Sequence, residues 1–373
     1  MASYEGPLCV EKKELPELID LLNLVFRPKG GDMGREYPRH VAWSNRENVR
    51  IIKENGRIVS HVATSIRPVC LNGMSTREAG IGAVATHPDG RGKGYASILM
   101  QDAVERSVEQ GADIMLISGD LGVYRRMHAV DCGIYPVVKI EKEDLQESPG
   151  FFISEWKDED IDEVIELWKT LPTRYLLPRE DWQALSRCKH VMDKPSQWWT
   201  VRMDNELTGF GIVYQKDSEL MLLDWAGRPR ALEAAAAFWL KKYGANRVAY
   251  IPSSATLLPL HWKRHIATIR AFEGTVLVIH AQRFLERAQA FLTERIGEEA
   301  LSRLEIDAEK QRVRFTLGKE QASFDNGGEL ALLFFGHPTL DIISEKLEGD
   351  SKLAAMLYKM FPTPLVWYGI GYV

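Results

Sequence analysis

A chain of 373 residues with 45% hydrophobic and 27% charged side chains has the composition of an ordinary globular protein and the length to bury two or three cores. A net charge of -5 argues against a basic face for nucleic acid, and no apolar run approaches a membrane span, so neither nucleic acid nor membrane is expected as a partner. Cys9, Cys70, Cys132 and Cys188 have neither metal-like nor paired spacing, and the opening MASYEGPLCVEKKELPEL lacks a basic-then-apolar leader. Reduced thiols and a cytoplasmic location are therefore the expectation.

In chain order, Leu15, Leu18, Leu21, Leu22 and Val25 predict a first helix. The stretch FRPKGGDMGREYPRHVAW is too rich in Gly, Pro and charge to be regular and is a candidate substrate loop. Asp32 and Glu36 there, with Asp120 further on, are weighed as holders of a cationic acceptor, and Phe26 and Trp43 as its walls. Solvated loop residues are the competing reading. NVRIIKENG then turns at Asn55-Gly56 into RIVSHVATSIRPV, a predicted hairpin. Next comes GIGAVATHPDGRGKGYA, a strand running through a glycine-rich turn into the helix SILMQDAVERSVEQ, followed by the strand ADIMLIS. A turn of this kind leaves backbone N–H groups unpaired at the positive end of a helix dipole, where they can hold a pyrophosphate. Gly92 and Gly94 allow the backbone to close on it, Arg91 and Lys93 add charge, and Ala96 keeps the helix start close.

These residues resemble the acetyl-CoA signature R/Q-x-x-G-x-G/A of the GCN5-related N-acetyltransferases (GNAT), matched as Arg91-x-x-Gly94-x-Ala96. The order of pieces is also similar: Val84-Ala85-Thr86-His87-Pro88 before the Arg, the strand ADIMLIS after it, then Tyr124, Gly133 and Tyr135. The resemblance implies acetyl-CoA as cosubstrate, no metal, and a cofactor side made of Val84, Ala85, Thr86, Arg91, Gly92, Lys93, Gly94, Tyr95, Ala96, Ser97 and Ser118.

Past Glu147-Ser148-Pro149-Gly150 the plan repeats, with FFISEW, the helix DEDIDEVIELWKTL, the hairpin WWTVRMDNELTGFGIVYQ, ELMLLDWAG and ALEAAAAFWLKKYG. Here the phosphate turn is replaced by Ala226-Gly227-Arg228-Pro229-Arg230, where Pro229 lacks a donor. From about His280 a smaller α+β unit follows. The fold class expected is α/β (α+β): a catalytic domain over 1–150, a second copy of the same fold without a CoA site over 151–280, and a unit resembling the sterol-carrier-protein fold over 281–373. This layout is similar to the enhanced-intracellular-survival (Eis) type of N-acetyltransferase and implies a homo-oligomer, trimer or hexamer.

The activity so implied is direct transfer of acetyl from acetyl-CoA to a primary amine on a small molecule or a peptide lysine, within a ternary complex. By the position its relatives give it, Tyr124 is the general acid for the departing thiolate, with Tyr135 as runner-up because the Tyr124 to Gly133 spacing is long. Two groups compete as base: the α-carboxylate of Val373, since in Eis-type enzymes the terminal carboxylate enters the site and WYGIGYV would suit that burial, and Glu78, at the place of the histone-type general base. His261 and His265 sit four apart but lack the rest of a zinc motif. A protein that binds CoA or a lipid without catalysis is the alternative from another class.

Overall fold

The computed structural model describes residues 4–37, 39–145, 148–191, 194–252 and 258–372. The first stretch carries β1 (Tyr4–Cys9), α1 (Leu15–Phe26), α2 (Met33–Glu36), β2 (Val49–Glu54), β3 (Arg57–Leu71), β4 (Met74–Thr86), α3 (Tyr95–Glu109), β5 (Ile114–Ile117), α4 (Gly122–Arg125) and β6 (Tyr135–Glu141). It continues with β7 (Phe152–Glu155), α5 (Ile161–Lys169), β8 (Thr173–Tyr175), α6 (Arg179–Cys188), the short pair β9 (His190–Val191) and β10 (Lys194–Pro195), β11 (Gln197–Met203), β12 (Glu206–Lys216), β13 (Glu219–Gly227), α7 (Pro229–Tyr243), β14 (Arg247–Tyr250), β15 (Ile266–Arg270) and β16 (Thr275–Val278). The last stretch holds α8 (Ala281–Ile296), α9 (Glu298–Ser302), β17 (Glu305–Ala308), β18 (Val313–Leu317), β19 (Glu320–Phe324), α10 (Gly327–Phe335), α11 (Ile342–Lys346) and α12 (Lys352–Met360). Mixed sheets flanked by helices make this the α/β class expected.

Two sheets dominate. The first has the order β1-β2-β3-β4-β5-β16, with β8 also on β3, and the second β15-β6-β14-β13-β12-β11-β7. Two strands cross between them: β6 leaves the first stretch to pair with β14 and β15, and β16 returns to pair with β5. Residues of β5 alternate across the first sheet with the two-residue period of a strand. Met115 and Ile117 join Ala79 and Ile81 against Leu99, Met100 and Ala103 of α3, while Ile114 and Leu116 share a core with Phe284 of α8 and Phe334 of α10. On that second face α1 covers Val49 and Ile51 through Leu18, Leu21 and Leu22.

The hairpin between β2 and β3 turns through Asn55 and Gly56, both at positive φ as a two-residue turn of this hand requires. The stretch after α1 is more regular than its composition suggests. Asp32 caps α2 by accepting from the amides of Gly34 and Arg35, and Glu36 pairs with Arg27, so local polar contacts supply what a hydrophobic period does not. No helix among the described residues is long and apolar enough to cross a membrane.

Candidate active site

The cofactor-side residues fall on β4, the turn after it and the start of α3, except Ser118, which follows β5. Parallel pairing of β4 with β5 ends at Ile81 with Ile117, yet β4 continues to Thr86, so beyond Ile81 its edge toward β5 is left open among the described residues. The parting coincides with a register shift against β3 and with Ala83 at φ +54, a left-handed conformation that costs a residue bearing a Cβ about 1 to 2 kcal/mol. Val84 and Thr86 are half-buried and Ala85 is buried, so the open edge presents main chain more than side chain.

Gly92 and Gly94 take φ of +77 and +83, and a Cβ on either would meet no atom within 4 Å. The turn is open space bounded by backbone. Gly94 is the N-cap of the fifteen-residue α3 and no side chain caps it, leaving the amides of its first turn, Tyr95, Ala96 and Ser97, at the positive end of the dipole. Ser97 N–H bonds back to Gly94 C=O at 3.0 Å. An uncapped helix start with a left-handed glycine turn and clear space fits a diphosphate. Arg91 is exposed, whereas Lys93 lies 2.8 Å from both oxygens of Glu54, to which Tyr95 also donates. Lys93 must share its charge between that carboxylate and any ligand.

Tyr124 sits on α4, buried in the α3-side core, with its ring beside Gly119 just past β5. Burial pushes its phenol up to about 12, so it stays protonated at neutral pH. Tyr135 is turned elsewhere: its hydroxyl donates to the Val366 carbonyl at 3.1 Å and its ring meets Trp367 edge-on, so it packs the tail.

Glu78 is wholly buried on the opposite face, directly across from Arg67 in the β3–β4 register. Among the described residues, both its carboxylate oxygens lack a hydrogen-bond partner. Burial pushes the carboxyl up to about 7, against the pull of the Arg67 and Arg39 guanidiniums. The C-terminal segment comes to this place. Tyr372, 1% exposed, donates from its hydroxyl to Ile81 C=O at 2.9 Å, its carbonyl lies 3.3 Å from His40 Nε2, and Arg67 donates to Gly371 C=O. The Tyr372 phenol also meets the Ser118 hydroxyl at the end of β5. Asp224 of the second sheet accepts the Ile370 amide at 2.7 Å. Val373 lies outside the described residues. His40 is held neutral by burial, its pKa lowered to about 3, and its ring closes on Gly82, where a Cβ would meet it at 2.7 Å.

The structure thus gathers Glu78, Ser118 and the tail at the β4–β5 parting, while other candidates are engaged with partners of their own. Asp32 and Glu36 are used within their own loop, and Asp120 pairs with Arg125 at 2.5 Å. His261 and His265 point to different carboxylates, Glu233 and Asp144. Arg39, His40, Arg67 and Tyr175 went unnoticed in the sequence. A usable signal existed for Arg67 alone, a cation inside the apolar strand RIVSHVATSIRPV with Glu78 within hairpin reach.

Comparison with known proteins fits this geometry. Residues 9–129 match the model of the family described as acetyltransferase (GNAT) domain. No curated protein matches the chain. Among solved structures, a probable N-acyltransferase from Enterococcus faecalis is similar at 16% identity with a TM-score of 0.69, covering 99% of this chain and 100% of that one. A GCN5-related N-acetyltransferase from Anabaena variabilis gives 16% and 0.65 over 98% of both chains, and Eis1 from Mycobacterium abscessus 10% and 0.63, again over 98% of both. At such identities the likeness is one of fold, and it extends through the C-terminal stretch. The chain carries a GNAT acetyltransferase domain over residues 9–129, set in a fold that these structures share along nearly its whole length.

Proposed function

We propose that this protein is an acetyl-CoA-dependent N-acetyltransferase acting by direct transfer to a primary amine. The observation that carries the reading is the uncapped start of α3 behind the open Gly92–Gly94 turn, beside the unpaired edge of β4. Residues 91 to 97 would hold the diphosphate by main-chain N–H groups, with Arg91 adding charge, and the edge of β4 at Val84 and Ala85 would align the pantetheine arm. When bound, acetyl-CoA supplies an acyl thioester. Tyr124 keeps a proton on its phenol for the thiolate that departs.

Glu78 is the base we favour, because a primary ammonium must lose a proton before it can attack and a carboxylate that titrates near 7 suits that transfer. Tyr372, closing the site over the β4–β5 parting, excludes water there. The carboxylate of Val373 is the competing base. We also propose three units over 1–150, 151–280 and 281–373, the first two exchanging β6 and β16 between their sheets, with Pro229 at the first turn of α7 in place of a phosphate turn, so that only the first unit binds CoA.

Thiol release from acetyl-CoA against a panel of polyamine, aminoglycoside and lysine-peptide acceptors tests this. Turnover with at least one amine is expected, and Tyr124→Phe should lower kcat roughly 100-fold with CoA affinity unchanged. Tight CoA binding with no turnover on any amine would reject the enzyme and favour a carrier.

A further inference from the structure

A cavity of about 450 Å³ lies where β8 joins β3, walled by Trp168 of α5, Trp182 of α6 and the guanidiniums of Arg39, Arg67 and Arg174. Its charge is lopsided. Lys169 stands at the rim as a fourth cation, and Asp181, the one acidic side chain among the described residues of the wall, is taken by Arg39 at 2.6 Å. Lys169 is answered on the solvent side by Glu166. Arg174 has no carboxylate partner among the described residues: its Nη1 donates to the Leu171 carbonyl, and its buried Nε, like Nη1 of Arg39, has no acceptor. Buried guanidinium N–H groups left without acceptors are costly, and a bidentate oxyanion is the group that matches them. The rest of the wall is apolar and aromatic, which excludes a bare inorganic ion as the natural occupant and suits a hydrophobic body.

We propose that this cavity receives the carboxylate of the acceptor, held between Arg39 and Arg174 while an apolar or aromatic body packs against Trp168 and Trp182. The link to the reacting end is Arg67, which lines the cavity and faces Glu78 across the strand pair. An acceptor anchored by its carboxylate would therefore lie on the Glu78 side of the sheet. This assignment rests on the transfer reading for the amine but not for the carboxylate, and the two can fail separately. It runs against a polycationic acceptor, which the guanidiniums would repel.

The test is calorimetry on the full chain with phenylacetate, phenylacetamide and inorganic phosphate, followed by transfer assays with phenylalanine and phenylalaninamide. Phenylacetate is expected to bind at least tenfold more tightly than its amide and more tightly than phosphate. Arg174→Gln should erase that preference without changing CoA affinity, and Arg174→Lys should restore part of it. Equal affinity for acid and amide in the unaltered protein, or tighter binding of phosphate, would overturn the cavity assignment, and neither result depends on a variant folding. Phenylalanine should be acetylated at least tenfold more efficiently than its amide; a reversed or absent preference, with phenylacetate still bound, would overturn the acceptor role. Phenylacetate bound with no amine acetylated at all would leave the carboxylate site standing and sink the transfer reading.

Discussion

At the scale of single residues, Glu78 is where stability and activity pull apart. A carboxyl group whose folded pKa is raised favours the folded state while protonated, so that advantage is complete below the ordinary value of 4.5 and is lost as pH rises through about 7. The difference of the two values corresponds to roughly 3 kcal/mol of pH-dependent stability by the linkage constant, an upper figure for a site with two guanidiniums nearby. Activity runs the other way, since only the ionised carboxylate accepts a proton. With Glu78 as base, kcat/KM should rise tenfold per pH unit up to about 7 and then level off. Glu78→Gln should remove the slope along with most of the activity, and should narrow the gap between the Tm values measured at pH 5 and pH 8. A variant keeping both the slope and the rate would transfer the role of base to another group, with the carboxylate of Val373 next in line.

Among the elements, the β4-turn-α3 unit bears most of the proposed chemistry, and it was also the most legible part of the chain. Its glycines and the capless helix start are written in GRGKGYA, because a left-handed turn at a helix N-terminus has few sequence solutions. The local hairpin at Asn55-Gly56 was legible for the same reason. What could not be read was anything set by partners far apart in the chain, such as Arg67 against Gly371, Tyr372 against Ile81, or Arg174 and Arg39 lining one cavity. A strand's period shows which face a residue takes but not what will cover that face. The acidic residues of the 26–43 stretch serve nearby amides and Arg27, partners that their spacing does not show. For the turn itself the expectation is specific: Gly94→Ala forces a Cβ into the left-handed region at φ +83 with no clash to relieve, so the cost is backbone strain of about 1 to 2 kcal/mol. CoA affinity should fall about tenfold while Tyr124 and Glu78 are untouched, giving a raised KM for acetyl-CoA at near-normal kcat. An unchanged KM would place the diphosphate elsewhere.

Across the whole molecule, the crossing of β6 and β16 between the sheets determines how the protein must come apart. The first sheet is incomplete without β16, contributed 158 residues after the end of β5 by residues 275–278, and its second face is buried by α8 and α10. The second sheet depends in turn on β6, which the first stretch supplies. Asp113, buried at the start of β5, is paired with Arg283 and Arg287 of α8, so removing the C-terminal helices would break both ion pairs and lay the apolar face of the first sheet open to water. Neither sheet can then melt while the other stays native, and differential scanning calorimetry of the full chain should show one transition rather than two or three. A fragment of residues 1–150 contains the whole phosphate turn but lacks β16, the helices that cover its open face and the tail that closes the β4–β5 parting. That fragment should show no cooperative unfolding and should lose at least 100-fold in CoA affinity, since ordering the turn would have to be driven by binding alone. Well-dispersed amide resonances and full CoA affinity in residues 1–150 would show instead that the exchanged strands are dispensable and that the first sheet closes on its own.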